Sequence, residues 1–230
     1  MIVRTFHQEQ LWIDAALLEW KDLVQRVKIA GRSEASICLS GGTSPELVYR
    51  AMAAEILDGI RVDLWLGDER AVPSSDPLRN GGMVERAFSA CVWNPVPRIR
   101  LWPDTLTTDQ AARSAQSYQE ELRDAFNGFP VFDLLILGLG SDGHTASLFP
   151  GDAGWKAASC SDNITTVTTS PIPPHTRMTL LPRALNAARR VLFIVKGADR
   201  LPMINKLQAG DQSIPASLFA GPDTVLLYLA

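Results

Sequence analysis

The feature that most constrains this chain is a series of short apolar runs separated by segments with helical periodicity. The runs are ASICLS (35–40), RVDLWLG (61–67), FDLLILGLG (132–140), VLFIVKG (191–197) and TVLLYLA (224–230). Continuous apolar runs are typical of strands in a parallel sheet that is covered on both faces. The alternation with helices therefore predicts an α/β fold with a mostly parallel central sheet. The 230 residues fit a single domain, 1–230.

The helices are predicted from periodicity and from capping residues. Apolar residues recur at helical spacing from Trp12 to Val27, which predicts a helix over roughly 8–30. PELVYRAMAAEIL predicts a second helix, with Ser44 as its N-cap and Pro45 in its first position. Two further helices are predicted over 80–90 and 107–126, and a short strand near RIRLW, 98–102.

Charge and cysteine content exclude several classes of protein. The net charge of −3 provides no broad basic field of the kind that nucleic acid requires. Cys38, Cys91 and Cys160 are widely spaced, so neither a disulfide framework nor a zinc site is indicated, and the expected location is the reducing cytoplasm. The N-terminal MIVRTFHQEQ has no apolar signal segment and no run is long enough to span a bilayer, so no membrane partner is expected.

Glycines follow the first predicted strand, in LSGGTSPE. Gly41 and Gly42 have no Cβ and let the backbone approach a ligand closely. The helix that follows directs its free N–H groups and its positive dipole end toward this glycine turn. That arrangement favours phosphate binding. A plain strand-to-helix turn with a Ser or Thr cap is the alternative, and phosphate is slightly favoured over it.

Charged residues follow the next strand, in GDERAVP. Asp68, Glu69 and Arg70 crowd its end. Taken alone, such a triplet favours a solvated loop with local ion pairs. If the loop instead lies at a ligand cleft, Arg70 would meet a substrate anion or orient an acid, and Asp68 would hydrogen-bond a sugar hydroxyl.

The stretch GLGSDGHTASLFPG (138–151) contains the pattern G-x-G-x-x-G, but it does not fit a dinucleotide loop. It lies past the middle of the chain, and Pro150 and Gly151 would end any helix too early for a crossover. What remains is a glycine turn that carries Asp142 and His144. An imidazole titrates near the pH at which a general base works best, so His144 is predicted to be catalytic. Asp142 would orient the ring or contact the substrate.

Other chemistries have weaker support in the sequence. Arg177 lies in a predicted proline-rich loop, and Lys196 and Arg200 follow a strand, so each would either complete a phosphate clamp or lie exposed to solvent. His144 with Asp142, Asp68 and Glu69 would suffice for a metal, but the histidine spacing of zinc motifs is missing. Ser141 and Ser147 flank His144 without a G-x-S-x-G nucleophile elbow.

Together these segments resemble the 6-phosphogluconolactonases, within the larger glucosamine-6-phosphate isomerase/deaminase-like group. The segments are SGGTSP, GDERAVP, GLGSDGHTASLFPG, RMT (177–179) and KGADR (196–200), which occur in the family's order and span nearly the whole chain. The resemblance implies a modified Rossmann-like three-layer sandwich. It also implies hydrolysis of 6-phospho-D-glucono-1,5-lactone in the oxidative pentose phosphate pathway, with no metal and no organic cofactor.

The resemblance also implies roles for individual residues. His144 matches the base that activates water, Asp142 its acidic partner and Arg70 an active-site arginine. Gly41, Gly42 and Thr43 match the phosphate loop, and Arg200 stands where the family more often has lysine. Arg79-Asn80 replaces a more frequent Ser-Asn, a departure that leaves the contacts of that loop open.

Two rival activities differ from the lactonase in what they require. Glucosamine-6-phosphate deamination moves protons between carbons, and that branch of the family places a glutamate after the histidine. This chain has Phe149 and no carboxylate in the same stretch, which favours the lactonase. The second rival, a phosphosugar-binding regulator, would have no use for a histidine in the pocket. The sequence leaves a monomer and a small homo-oligomer equally open.

Overall fold

Strands and helices alternate along the chain as the apolar pattern predicts, in a computed structural model that describes residues 1–105 and 108–230. The strands are β1 (Ile2–Phe6), β2 (Glu34–Leu39), β3 (Arg61–Leu66), β4 (Asp68–Arg70), β5 (Arg98–Arg100), β6 (Leu134–Leu137), β7 (Thr165–Thr169), β8 (Thr176–Leu180), β9 (Val191–Lys196) and β10 (Thr224–Leu229). The helices are α1 (Glu9–Ile29), α2 (Thr43–Ala54), α3 (Asn80–Ala87), α4 (Ala111–Ala125), α5 (Ala153–Ala158), α6 (Pro182–Asn186) and α7 (Leu201–Gln208). Short 3-10 turns lie at Thr108–Gln110, Ala198–Arg200 and Pro215–Phe219.

Seven strands form one parallel sheet in the order β1-β10-β9-β6-β2-β3-β5. The predicted α/β class with a mostly parallel central sheet is therefore confirmed. From β2 the chain moves outward through β3 to β5, and then returns to β6 on the other side of β2. The strand order thus reverses between β2 and β6. Open α/β sheets place their ligand crevices outside the carboxyl ends of the strands at such a point.

A second, three-stranded antiparallel sheet in the order β4-β8-β7 was not predicted. It corrects two expectations. Arg177 lies in β8 and not in a loop, and the Asp68–Arg70 triplet forms β4 and not a solvated turn. Both strands pair with segments far away in the chain, and local periodicity carries no information about such pairing.

Helix α2 begins earlier than its sequence signals predict. Its N-cap is Gly42, with φ 115° and ψ 159°, and Ser44 and Pro45 lie inside the first turn. The prediction of Ser44 as N-cap and Pro45 in the first position is therefore wrong. Gly42 adopts a backbone conformation that disfavours other residues and turns the loop straight into the helix. As a result, within the described part of the chain no side chain caps the first N–H groups of α2.

The predicted helices differ from the observed ones only at their ends. Helix α3 ends at Ala87, where the prediction extends to residue 90, and the predicted 45–57 helix ends at Ala54. The predicted 107–126 helix begins at Ala111 after a 3-10 turn, and its residue 107 lies outside the described residues. Frayed and 3-10 turns at helix ends account for such shifts.

Buried aromatic side chains hold the carboxyl ends of two central strands. The Tyr49 hydroxyl donates to Ser40 O at 2.9 Å and accepts from Ser40 N at 3.0 Å, just after β2. The Tyr118 hydroxyl accepts from Leu66 N at 2.8 Å, and Trp102 Nε1 donates to Leu66 O at 3.1 Å, at the end of β3. These bonds fix the positions from which the next loops leave the sheet. Among the described residues, no helix has the length and apolar character that crossing a membrane requires.

Candidate active site

A cavity of about 300 Å³ lies beside the carboxyl ends of β2, β3, β6 and β9, where the strand order reverses. Its size is at the lower end of the range for small-molecule pockets. Most of the predicted site residues line it, namely Gly41, Gly42, Thr43, Asp68, Arg70, His144, Arg177 and Arg200. Asp142 is not part of the lining. The fold thus brings together loops that are widely separated in the sequence.

The loop after β2 approaches its neighbours closely because it contains glycine. A Cβ on Gly41 would lie 1.9 Å from Asn80 Oδ1, so no other residue fits there without displacing that side chain. Gly42 supplies the positive φ that starts α2. The uncapped N–H groups of α2 and its positive dipole end therefore face the cavity edge, in an arrangement suited to an anion.

His144 and Asp142 form a hydrogen-bonded pair. His144 Nδ1 lies 2.5 Å from Asp142 Oδ1, and the same oxygen accepts the His144 backbone N–H at 3.0 Å. Burial raises the pKa of Asp142, but the bonds to the His144 ring and backbone bring it below its ordinary value. Asp142 is thus a carboxylate near neutral pH and contacts the imidazole. Because Asp142 occupies Nδ1, the other ring nitrogen of His144, Nε2, has no hydrogen-bond partner among the described residues.

Glycine and an aromatic ring hold the imidazole in place. A Cβ on Gly140 would lie 2.1 Å from His144 Nδ1 and 2.6 Å from Asp142 Oδ1. The Phe149 ring packs on the imidazole with 4.9 Å between centroids. Gly143 has φ +87°, and its missing Cβ makes room for Ile214. The glycines therefore serve the His144 turn, and residues 141–150 contain no helix of the dinucleotide-binding type.

The carboxylates after β3 are buried and hydrogen-bonded, so the expectation of a solvated loop is wrong. Asp68 is 6% exposed, and its Oδ2 accepts from Ser147 Oγ at 2.6 Å. Glu69 is 0% exposed and accepts the backbone N–H groups of Asn80 at 2.7 Å and Gly81 at 2.8 Å. Burial raises the pKa of Glu69, although the backbone bonds oppose it. Asp68 faces the cavity, whereas Glu69 holds the start of α3.

Two arginines in the cavity wall are hydrogen-bonded to carbonyls and not to carboxylates. Arg70 Nη1 donates to Leu78 O at 2.5 Å, and its Nε is buried without a partner. Arg177 Nε donates to Pro174 O at 2.8 Å. Arg177 is only 6% exposed, so the alternative of a solvent-exposed cation is wrong for it. Within residues 1–105 and 108–230, neither arginine contacts a carboxylate directly, so neither charge is neutralised by an ion pair.

Two further cations in the cavity wall each have a carboxylate partner. Lys196 Nζ lies 2.5 Å from Glu9 Oε2, and Arg200 Nη1 pairs with the neighbouring Asp199. The Arg200 side chain is 29% exposed and that of Lys196 is 43% exposed. Both lie at the mouth of the cavity, with part of their charge already compensated.

Sequence reasoning did not assign Ser40, Asn80 or Ser147 to the site, although all three line the cavity. Asn80 had a usable signal, because it follows a charged loop and opens a helix. The preceding Arg79 points elsewhere: its guanidinium donates to Val72 O at 2.7 Å and to Trp102 O at 2.6 Å. Arg79 thus makes structural contacts with carbonyls, and Asn80 places an amide in the cavity wall.

Metal ligation has little support in the donor set. The part of the chain that the structure describes contains no group of three or more His, Cys, Asp or Glu side chains that could hold a metal ion. Glu69 accepts backbone N–H groups and Asp68 accepts the Ser147 hydroxyl. Both carboxylates thus already accept hydrogen bonds from the protein, which does not favour metal ligation by them.

Comparisons with known proteins agree with this geometry. A family model described as glucosamine-6-phosphate isomerases/6-phosphogluconolactonase matches residues 9–227. A 6-phosphogluconolactonase from Synechocystis is 33% identical over 228 residues, which cover 96% of this chain and 91% of that protein.

Solved structures share the fold. A 6-phosphogluconolactonase from Shewanella baltica superposes with a TM-score of 0.86 at 22% identity, covering 100% of this chain and 98% of that one. A monomeric glucosamine-6-phosphate deaminase gives a TM-score of 0.76 at 20% identity, covering 99% of this chain and 97% of that one. Because enzymes of both activities have this architecture, the fold alone does not distinguish them.

Proposed function

Because this chain belongs to the family of glucosamine-6-phosphate isomerases and 6-phosphogluconolactonases, we propose that it hydrolyses 6-phospho-D-glucono-1,5-lactone to 6-phospho-D-gluconate. This is a step of the oxidative pentose phosphate pathway. The observation that carries the proposal is that a histidine paired with a carboxylate and a glycine-rich anion loop face one cavity of about 300 Å³. A single phosphorylated sugar lactone would contact both.

The phosphate would bind at the loop of Gly41, Gly42 and Thr43, where N–H groups at the start of α2 are uncapped. Arg177 supports an anion there because it is buried and has no carboxylate partner among the described residues. Arg200 would add a second, more exposed contact, and a guanidinium can hold phosphate with two hydrogen bonds. Binding of this remote group would orient the lactone for reaction.

The reaction would begin with water attacking the lactone carbonyl carbon. His144 Nε2 takes a proton from that water as the new carbon–oxygen bond forms. Asp142 holds the ring through Nδ1 and stabilises its charged form. Arg70, whose Nε has no partner, stabilises the negative oxygen of the tetrahedral intermediate.

Ring opening would complete the reaction. The bond between the carbonyl carbon and the ring oxygen breaks, and the imidazolium returns its proton to that oxygen. The products are a free hydroxyl and a carboxylic acid, which loses its proton to solvent. No electrons are exchanged, so the reaction balances without a redox cofactor. Asp68, which accepts a hydrogen bond from Ser147, would contact a sugar hydroxyl.

The rival deaminase reaction needs a further acid or base near the histidine. The position five residues after His144, which corresponds to the glutamate of the deaminase stretch, holds Phe149, whose ring packs on the imidazole. This contact supports the lactonase, because it fills the place of a carboxylate with an apolar ring. A binding protein without catalysis would leave the His144–Asp142 pair without a role.

The test is a direct comparison of two substrates. We expect the purified protein to open 6-phosphogluconolactone well above the buffer rate, with or without EDTA, and to leave glucosamine 6-phosphate unchanged. Ammonia release from glucosamine 6-phosphate, or a lactone rate equal to buffer, would refute the proposal. A rate that disappears with EDTA and returns with a divalent metal would contradict the metal-independent mechanism.

The cysteines bear on where in the cell the protein works. All three cysteines are free, which supports the reducing cytoplasm as the location.

We further propose that residues 1–230 act as one domain, as a monomer or small homo-oligomer. Light scattering on the purified protein measures that state directly.

A further inference from the structure

Two polar side chains in the cavity wall have atoms without a hydrogen-bond partner. Ser40 is 4% exposed, and its Oγ is buried and unpaired. Asn80 is 2% exposed, and among the described residues no donor reaches its Oδ1, which unlike Ser40 Oγ is not completely buried. Buried polar atoms in native proteins are nearly always paired, so the unpaired Ser40 Oγ requires an explanation. Both residues line the cavity, which makes a ligand the natural partner.

Both residues adjoin Gly41. Asn80 Oδ1 lies 1.9 Å from the position that a Cβ on Gly41 would take, and Ser40 directly precedes that glycine in the chain. Glycine at position 41 therefore lets the amide oxygen come up to the 40–43 loop. The pair thus forms one polar patch, which we call the Ser40/Asn80 patch.

The protein holds this patch rigidly through atoms other than the unpaired ones. The Ser40 backbone N–H and C=O both bond the Tyr49 hydroxyl. Asn80 donates Nδ2 to Asp68 O at 3.0 Å, and its backbone N–H bonds Glu69 Oε1 at 2.7 Å. Because Nδ2 donates to a carbonyl, the amide orientation is set and Oδ1 is the atom left over. Such fixed positions are what a specific contact needs.

The chemistry of the unpaired atoms selects the ligand group. An amide oxygen only accepts hydrogen bonds, so it cannot pair with an ionised phosphate or with a lactone carbonyl. It pairs with an O–H or N–H donor. A hydroxyl such as that of Ser40 both donates and accepts. A sugar hydroxyl satisfies both partners at once.

We propose that the Ser40/Asn80 patch is a hydroxyl-recognition subsite that determines which sugar lactones the enzyme accepts. The inference rests on the proposed function, since the ligand is the polyol part of the phosphorylated lactone. A site built to pair with a substrate hydroxyl rejects analogues that lack it, because its own polar atoms then stay buried and unpaired. The patch therefore adds a specificity determinant beside the anion loop and the His144–Asp142 pair.

The experiment is a double-mutant cycle between protein and substrate. Wild type, Asn80→Ala and Ser40→Ala are assayed on 6-phosphogluconolactone and on its 2-, 3- and 4-deoxy analogues. We expect wild type to lose about 10-fold in kcat/KM on one analogue, the size of a single hydrogen bond. Asn80→Ala loses a similar factor on the parent lactone and little more on that same analogue. The penalties on the other analogues remain as in wild type.

Controls separate a substrate contact from a structural role. Ser89→Ala, an exposed serine beyond α3, should reproduce wild-type rates. Thermal midpoints identify any variant that folds poorly, and Ser40→Ala tests the patch if Asn80→Ala does not fold. Deoxy penalties of equal size in wild type and in both variants would overturn the inference.

Three other outcomes are also decisive. A loss in Ser40→Ala that disappears on unphosphorylated glucono-1,5-lactone would assign Ser40 to the phosphate and contradict the inference. If wild type fails on the parent lactone, the proposed function falls and this inference with it. If wild type is active but protein and substrate changes are additive, only this inference fails.

Discussion

Arg70 and Arg177 lie directly opposite each other on the antiparallel strands β4 and β8, at the wall of the cavity. Burial lowers the pKa of Arg177, and the charge of Arg70 lowers it further. Neither arginine forms an ion pair with a carboxylate in the described part of the chain. Two like charges held side by side in a partly buried site favour binding of an anion between or beside them.

Inorganic phosphate should therefore stabilise the protein. At ten times its Kd we expect the thermal midpoint to rise by about 3–6 °C for a chain of this size. Arg177→Met should lose most of that rise, because the guanidinium that receives the anion is gone. Arg183→Gln, an exposed arginine paired with Asp162, is the matched control and should keep it. An equal rise in Arg177→Met would exclude Arg177 from the anion site.

Substitutions in the histidine pair should reduce kcat and leave KM nearly unchanged. His144→Ala removes the base, and we expect a loss of about 10²–10⁴-fold in kcat. Asp142→Asn keeps an oxygen for the backbone N–H but removes the charge beside Nδ1, so a smaller loss is expected. KM should hold for Asp142→Asn because Asp142 does not line the cavity, and for His144→Ala because the proposed phosphate contacts are at other residues. Steady-state kinetics measure both, with the exposed Asp162→Asn as control. Equal lactone rates in wild type and His144→Ala would remove His144 from the mechanism.

A single methyl group at residue 140 should disrupt the same pair. The Cβ of Gly140→Ala would lie 2.1 Å from His144 Nδ1, so the imidazole must move away from Asp142. We expect a fall in kcat comparable with that of Asp142→Asn. Gly221→Ala provides the control, since its Cβ would meet only Thr224 Oγ1 at 3.8 Å. Unchanged kcat in Gly140→Ala would show that the observed imidazole position is not needed.

Loss of the Arg200 side chain should affect phosphate binding and not the chemical step. Arg200 lies at the mouth of the cavity, where Asp199 already compensates part of its charge. Arg200→Ala should raise KM for the phosphorylated lactone, with kcat retained and the unphosphorylated lactone little affected. Lys196→Ala, measured in parallel, compares the second cation at the mouth. A fall in kcat alone would place Arg200 at the reacting carbonyl and contradict its role as a phosphate contact.

At the opposite end of the sheet, Asp133 should make stability depend on acid. Burial raises the pKa of Asp133, but the hydrogen bonds of Arg32 and Ser36 and the nearby positive charges bring it below its ordinary value. A carboxylate with a lowered pKa stabilises the fold above its unfolded pKa of about 3.9, and that contribution is lost as the pH falls through the folded pKa.

Asp133→Asn should accordingly lower the free energy of unfolding by about 1.5–3 kcal/mol at pH 7. The difference between wild type and variant should shrink below about pH 4. Urea unfolding at pH 7 and pH 3 measures both values. Activity per folded molecule should not change, since Asp133 does not line the cavity. A difference that stays constant with pH would assign the effect to packing and not to charge.

Much of the fold was predictable because it follows from local patterns. The apolar runs that form β2, β3, β6, β9 and β10 were identified, and four helices were placed with errors only at their ends. Strand β7 was missed because Thr165–Thr169 is a short polar segment without a periodic signal. Strand β1 was missed because it is a five-residue, mostly exposed edge strand without a continuous apolar run. Strand β4 was missed because its pairing with β8 depends on the tertiary fold.

The candidate site was predictable in its glycines and in His144, but not in its supporting contacts. Gly41 and Gly140 stand out in the sequence because they follow predicted strands, and in the structure a Cβ at either position would clash with a neighbouring side chain. Asn80 was not assigned, because its place beside Gly41 arises from a contact between two separate loops. The charged triplet after β3, Asp68–Arg70, favoured a solvated loop, because three charged residues alone do not indicate whether their side chains are buried.

By itself, then, the sequence determined the alternation of strands and helices and the turns that present an anion loop and an imidazole at strand ends. These features depend on side-chain periodicity and on φ angles, which act over a few residues. Only the tertiary structure decided which charges are compensated. In the fold, Asp68 is buried against Ser147, and Glu69 accepts the backbone N–H groups at the start of α3. Arg70 and Arg177 contact no carboxylate among the described residues. The physical reason is that burial and pairing depend on partners far away in the chain, and these set the electrostatics of the cavity.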